Sequence, residues 1–140
     1  MRLSKLPDSI VINGDMTFRG KCPNESAEQV TFFNWIRREY PETWGRLAFH
    51  PRNEGLKKAN QFAAVQRHAA EGMTPGAPDV IIPARIAFVC ELKRRDHTQS
   101  DVSQDQMDYL TAAHAAGAFA CVALGVNAAR EAFAEWLTGL

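Results

Sequence analysis

Gly76-Ala-Pro-Asp79-Val-Ile-Ile-Pro-Ala-Arg85-Ile-Ala-Phe-Val-Cys90-Glu91-Leu-Lys93 is the stretch that decides how this 140-residue chain folds. Val80 to Ile82 and Ile86 to Leu92 are β-branched and apolar runs, too short for ordinary helices and parted by Pro83-Ala-Arg85. Two such runs around a short breaker predict a β-hairpin. Side chains two apart on a strand share a face, so Glu91 and Lys93 point one way while Cys90 and Leu92 point the other. If the hairpin turns about Arg85, Asp79 stands opposite Glu91. Directly opposed residues have Cβ atoms about 4.5–5.5 Å apart. Two carboxylates and an ammonium then converge at one end of a sheet. Like charges so placed destabilise a sheet unless something neutralises them. Lys93 does part of that. Either all three side chains are solvated at the strand ends, or a divalent cation would do the rest, and a hard oxygen site with open water positions is what Mg²⁺ or Mn²⁺ prefers.

Outward from the hairpin, composition sets the bounds. The chain has 46% apolar and 23% charged residues and a formal net charge of zero. That is the profile of one globular domain with a core of its own. Charge neutrality excludes a general electrostatic coat for nucleic acid, so a polyanion site requires local segregation of charge. No apolar run has the length of a membrane span, and the N-terminus lacks a signal-peptide core. A cytoplasmic protein without membrane contact is expected. Cys22, Cys90 and Cys121 show no CxxC spacing, and the last two lie in apolar runs, which reads as buried free thiols.

Residues 1–24 read as an N-terminal arm, packed on the body or exchanged with a partner, with Ser9 to Gly14 as a short strand and turn. Asn24 is placed to cap a helix from Glu25 to Tyr40, ended by Pro41. Glu25 and Gln29 share a side of it. Glu25 and Glu28 either answer the positive end of the helix dipole or one of them joins the metal site. Arg46 to His50 reads as a strand, and 51–55 as the turn after it. A second helix is expected from Lys57 to Glu71, ended by Gly72. Arg46, Arg52, Lys57, Lys58 and Arg67 face a single acid, Glu54, in this part of the chain. It is either a solvated face or a set of phosphate contacts. Residues 94–101 read as a mobile polar loop. Ser103 and Gln106 have capping-box spacing at the start of a helix closed by Gly117. Phe119 to Leu124 reads as an internal strand, and Asn127 as the cap of a last helix.

In this order, Pro78-Asp79 with Glu91-Leu-Lys93 resembles the PD-(D/E)xK nuclease core. More narrowly, residues 25–137 are similar to the VRR-NUC family, especially its stand-alone phage and prophage members. The likeness rests on Glu25 to Gln29, the His50-Pro-Arg-Asn-Glu-Gly55 turn, Gly76-Ala-Pro-Asp79, Glu91-Leu-Lys93 and Ser103-x-x-Gln106. The turn departs from the family pattern, Ile-Pro-Asn-Gly/Glu-Gly, through Arg52. The resemblance implies an α/β fold, a central mixed sheet flanked by helices with a restriction-endonuclease-like core, and a nuclease domain over 25–140. It implies a Mg²⁺- or Mn²⁺-dependent endonuclease that hydrolyses DNA phosphodiester bonds. The metal would be held by Asp79, Glu91, the Leu92 carbonyl and Glu25, with Glu28 the alternative to Glu25. Lys93 would position or deprotonate the attacking water, or act electrostatically. Gln106 would contact the scissile phosphate, unless Ser103 and Gln106 serve only the capping box. His50, Arg52, Lys57, Lys58 and Ser103 would hold the DNA backbone, with His50 as a core-edge residue the other reading. Compact phage relatives imply a homodimer that cuts branched DNA such as a Holliday junction, in a bacterial host cytoplasm. The rival is a non-cleaving DNA-binding module, or a subunit of a phage packaging or recombination complex.

Overall fold

The structure is a computed structural model, and it describes residues 3–52 and 62–140. Four strands form one mixed sheet: β1 (Val11–Asn13), β2 (Val80–Ile82), β3 (Phe88–Lys93) and β4 (Phe119–Leu124), in the order β1-β4-β3-β2. β1, β4 and β3 run parallel, and β2 runs antiparallel to β3. The predicted hairpin is present. Its second strand starts at Phe88 rather than Ile86, because 83–87 form the connection around Pro83. Val80 pairs with Cys90, so one step outward the register sets Asp79 against Glu91, as the spacing about Arg85 requires.

Helices cover both faces. α1 (Glu25–Glu39) and α5 (Val126–Thr138) pack on one side, where Phe32, Ile36, Phe133 and Trp136 meet Phe88, Cys90, Leu92, Cys121 and Ala123. α4 (Gln104–Ala115) covers the other side, where Met107 and Leu110 meet Val89, Ala120, Val122 and Leu124. The alternation along β3 and β4 is the period-2 pattern of a strand between two apolar layers. Leu3, Leu6 and Ile10 pack into the second layer, and β1 lines the edge of β4. Leu3 to Asn13 of the segment before α1 thus pack on the sheet. α1 buries less than its apolar sequence suggests, since Val30 is 57% exposed.

Three expectations need correction. Arg46 to His50 is not a strand: Trp44–Leu47 form a short helix, α2, and only Phe49 makes a β-bridge, to Ile81. Tertiary packing overrides the local pattern here. The Trp44 ring lies 4.9 Å from Trp136, and Gly45 is pressed so close to α1 that a Cβ would sit 2.6 Å from the carbonyl oxygens of Ile36 and Tyr40. Asn127 does not cap α5; Gly125 holds the cap position at φ 88°, without a side-chain bond. The polar stretch after Lys93 is a hydrogen-bonded turn. Asp96 is 3% exposed and accepts from Gly20 N, Thr98 N, Thr98 Oγ1 and Gln99 Nε2. The helix expected from Lys57 to Glu71 is seen as α3 (Phe62–Ala70); Lys57, Lys58 and most of the preceding turn lie outside the described residues.

Trp136 ties the first layer together. Its ring is 1% exposed, and its Nε1–H donates to the Ile86 carbonyl at 2.6 Å. Trp136→Ala should cost about 3–5 kcal/mol of unfolding free energy, the scale for deleting a buried aromatic ring. Urea denaturation monitored by circular dichroism measures it. A loss below about 1 kcal/mol, within the range of surface changes, would show that the aromatic layer does not carry the fold.

Candidate active site

Glu91 and Lys93 are on the α4 face of β3, at the strand's C-terminal end, and each is buried. A lysine ammonium has three protons to donate, and Lys93 Nζ has three acceptors. They are Gln106 Oε1 at 3.2 Å, Glu91 Oε1 at 3.4 Å and Glu25 Oε1 at 3.5 Å. Glu25 comes from the first residue of α1, whose N-cap Asn24 accepts from Ala27 N at 2.8 Å. Gln106 comes from the first turn of α4. There the capping box forms in both directions, with Gln106 N donating to Ser103 Oγ and Ser103 N to Gln106 Oε1. Gln106 Nε2 donates to Glu91 Oε1 at 2.7 Å. Gln106 does more than close the cap: its side chain also bridges Lys93 to Glu91.

Asp79 approaches from the other strand of the hairpin. Its Oδ2 accepts from Leu92 N at 2.7 Å. A strand residue's N–H and C=O point to the same edge, so the Leu92 carbonyl also faces the Asp79 side. His50 Nδ1 lies 2.9 Å from the Asp79 backbone oxygen. A carbonyl only accepts, so Nδ1 carries the proton. His50 thus braces the segment that carries Asp79. Gly76 enters that segment at φ 76°, against the backbone of Asp105 and Gln106. Gly76→Ala would force a Cβ into the Asp105 carbonyl in a left-handed conformation. It should cost at least about 1 kcal/mol and shift Asp79 relative to Gln106. Denaturant titration reads the first effect, and the chemical shifts around Leu92 N read the second; a variant unchanged in both would contradict this packing.

Burial raises the pKa of Asp79 above its ordinary 3.8, although the Leu92 N–H, Lys93 and His50 pull it down. Glu91 is pushed well above 4.5, first by burial and then by the charge of Asp79, with Lys93 opposing. With both acids ionised, one buried lysine would leave the pair under-neutralised, which is why their pKa values are raised. That is the electrostatic condition a cation relieves. Among the described residues, no three His, Cys, Asp or Glu side chains form a metal-binding group. The available donors are Asp79, Glu91 and the Leu92 carbonyl. A sparse all-oxygen set of this kind fits Mg²⁺ or Mn²⁺, which keep several waters. Glu25 is turned to Lys93 and to Ser100, whose Oγ donates to its Oε2 at 3.1 Å.

Glu28 is elsewhere. It is 6% exposed, and its Oε2 accepts from Val126 N, the first amide of α5. A carboxylate at that position satisfies an orphan helix donor. Arg52 is exposed and lies beside Met73 and Thr74. Ser100 was not anticipated: it also accepts from Arg94 N at 3.0 Å, holding the strand end to α1. The only local signal is the Asp96-x-Thr98 spacing of a side-chain-capped turn.

Neither a family model nor a curated protein matches the sequence. Among solved structures, the chain is similar to a VRR_NUC domain protein with a TM-score of 0.65. The two share 19% identity over 84% of this chain and 91% of that one. At that identity the likeness speaks for the backbone alone. The protein has the α/β fold of that VRR-NUC domain structure, a four-stranded mixed sheet flanked by helices.

Proposed function

We propose that the protein is a Mg²⁺- or Mn²⁺-dependent nuclease that hydrolyses DNA phosphodiester bonds at the Asp79–Glu91–Lys93 site. The observation that carries this reading is the buried Glu91–Lys93 pair at the end of β3, with Asp79 brought beside it by the hairpin and bonded to Leu92 N. The VRR-NUC-like fold agrees with it. Asp79, Glu91 and the Leu92 carbonyl would hold the metal. When bound, the ion lowers the pKa of a coordinated water and offsets charge on the phosphoryl oxygens. Glu25 acts through Lys93, or through a metal-bound water, rather than as a third carboxylate of the cage.

Lys93 is held by three acceptors with little freedom to move. A fixed ammonium in a dry site is worth more to a developing phosphorane charge than a mobile one in water. Gln106 keeps the ammonium in place and orients Glu91 by donating to it. His50, whose Nδ1 is bonded to the Asp79 backbone, Arg52 and Ser103 are assigned to DNA backbone contact. Branched DNA cut by a homodimer is the specific form proposed, because a two-fold pair of sites cuts opposed strands.

The test is a panel of labelled linear, flap, fork and junction DNAs with Mg²⁺, Mn²⁺ or EDTA. Metal-dependent cleavage, absent in Asp79→Ala, is expected. DNA binding without cleavage under every metal would replace the nuclease with a binding module. A strict monomer that cuts all shapes equally would remove the junction assignment. Among the described residues no helix is long and apolar enough to cross a membrane.

A further inference from the structure

Glu25, Gln29, Phe33 and Arg37 follow each other at four-residue intervals along α1, which places them on one stripe of the helix. The stripe begins at the candidate site, where Glu25 meets Lys93 at 3.5 Å. At 1.5 Å per residue it extends about 18 Å to Arg37. Beside it lies a cavity of about 260 Å³ lined by Gln29, Val30, Phe33, Asn34, Arg37 and His50. Its far wall, His50, is bonded to the backbone of Asp79. Cavity and carboxylate site therefore share two walls, α1 and the segment carrying His50.

The lining has a specific chemistry. It contains an arginine and a histidine but no carboxylate, in a chain with equal numbers of acidic and basic residues. The Arg37 guanidinium lies over the Phe33 ring, 5.1 Å from its centroid. Arg37 itself is exposed. A guanidinium plane braced on an aromatic ring offers a stacking surface for a flat heterocycle. Gln29 and Asn34 each carry a donor and an acceptor, which suits the edge of any base without selecting one. Val30, 57% exposed, supplies an apolar rim.

We propose that this cavity holds one unpaired nucleobase of the substrate strand, next to the scissile phosphate. A base inside a duplex has both faces stacked, so engagement requires a nucleotide released at a fork, flap or junction. The cavity thereby makes the site selective for distorted DNA without reading its sequence. The substrate in this inference rests on the nuclease reading above, and the test separates the two.

Fluorescence anisotropy on the Asp79→Asn protein, with labelled forked DNA, measures binding without cutting. An abasic residue is moved through the unpaired nucleotides. At one position the missing base should weaken binding roughly tenfold, the scale of one stacked base. In Asp79→Asn combined with Asn34→Ala and Arg37→Ala, both exposed sites, normal and abasic DNA should bind alike. Three results overturn the inference: no abasic effect at any position, an unchanged effect in the combined variant, or no binding of forked DNA. An Arg37 that acts only as a charge would weaken normal and abasic DNA equally and leave the abasic penalty intact. Cleavage by the native protein is scored separately. Base-dependent binding without cleavage keeps the cavity and removes the nuclease; cleavage with base-indifferent binding does the reverse.

Discussion

Asp79→Asn should stop DNA cleavage and, at the same time, make the metal-free protein more stable at pH 8. The rate loss should be about 10³-fold or more, equivalent to roughly 4 kcal/mol of transition-state stabilisation. Asparagine keeps an oxygen to accept from Leu92 N, so the hairpin end stays closed. It removes the charge that helps push Glu91 upward. The stability effect follows from proton linkage. A carboxyl with a raised folded pKa favours the folded state below its unfolded value, and that contribution is lost as pH rises through the folded value. Asp79 and Glu91 are both raised, from 3.8 and 4.5. The native protein in EDTA should therefore lose stability as pH climbs above about 3.8, the lower of these ordinary values. Below about 3.8, the ordinary value for Asp79, it should match the variant. Mn²⁺ should reverse the loss in the native protein, by about 2.7 kcal/mol when present at 100 times its dissociation constant. Thermal melts at both pH extremes, with EDTA and with Mn²⁺, give all of these. A variant that cuts DNA, or melts below the native protein in EDTA at pH 8, contradicts the assignment. A site that costs stability and is relieved by its cofactor is a common trade in enzymes.

Lys93→Met should damage folding and remove activity together. The methionine fits the slot but leaves Glu91 buried without its cation, and Gln106 Oε1 loses a donor. Removing one partner of a buried ion pair typically costs about 3–5 kcal/mol. Lys93 is one of the groups that hold the Glu91 pKa down, so its loss drives Glu91 further toward the neutral acid. The penalty should then shrink at low pH, where the acid is protonated in any case. Losing the fixed ammonium should lower cleavage by roughly 10²–10³-fold, as removal of one preorganised donor does. Urea titrations at pH 4.5 and pH 8, with cleavage assays under conditions where the variant is folded, separate the two effects. A folded Lys93→Met protein with native activity would leave the lysine a structural role only.

The hairpin, its centre at Arg85 and the shared face of Glu91 and Lys93 were legible in the sequence because they depend on neighbours. Strand periodicity and antiparallel register are set within fifteen residues. The same holds for the Ser103–Gln106 capping box, the Asn24 cap and the burial of Cys90 and Cys121 in apolar runs. Periodicity left Glu25 and Glu28 as alternatives, since they differ only in helix phase. The tertiary structure separates them. Glu25 meets Lys93 across 68 residues and Ser100 across 75, while Glu28 meets Val126 across 98. It also decides that 44–47 coil into a helix, because Trp44 and Gly45 are seated against α5 and α1. Local sequence specifies pairings whose geometry the backbone repeats. Contacts between distant elements depend on how whole layers pack, and no short stretch of this chain encodes that.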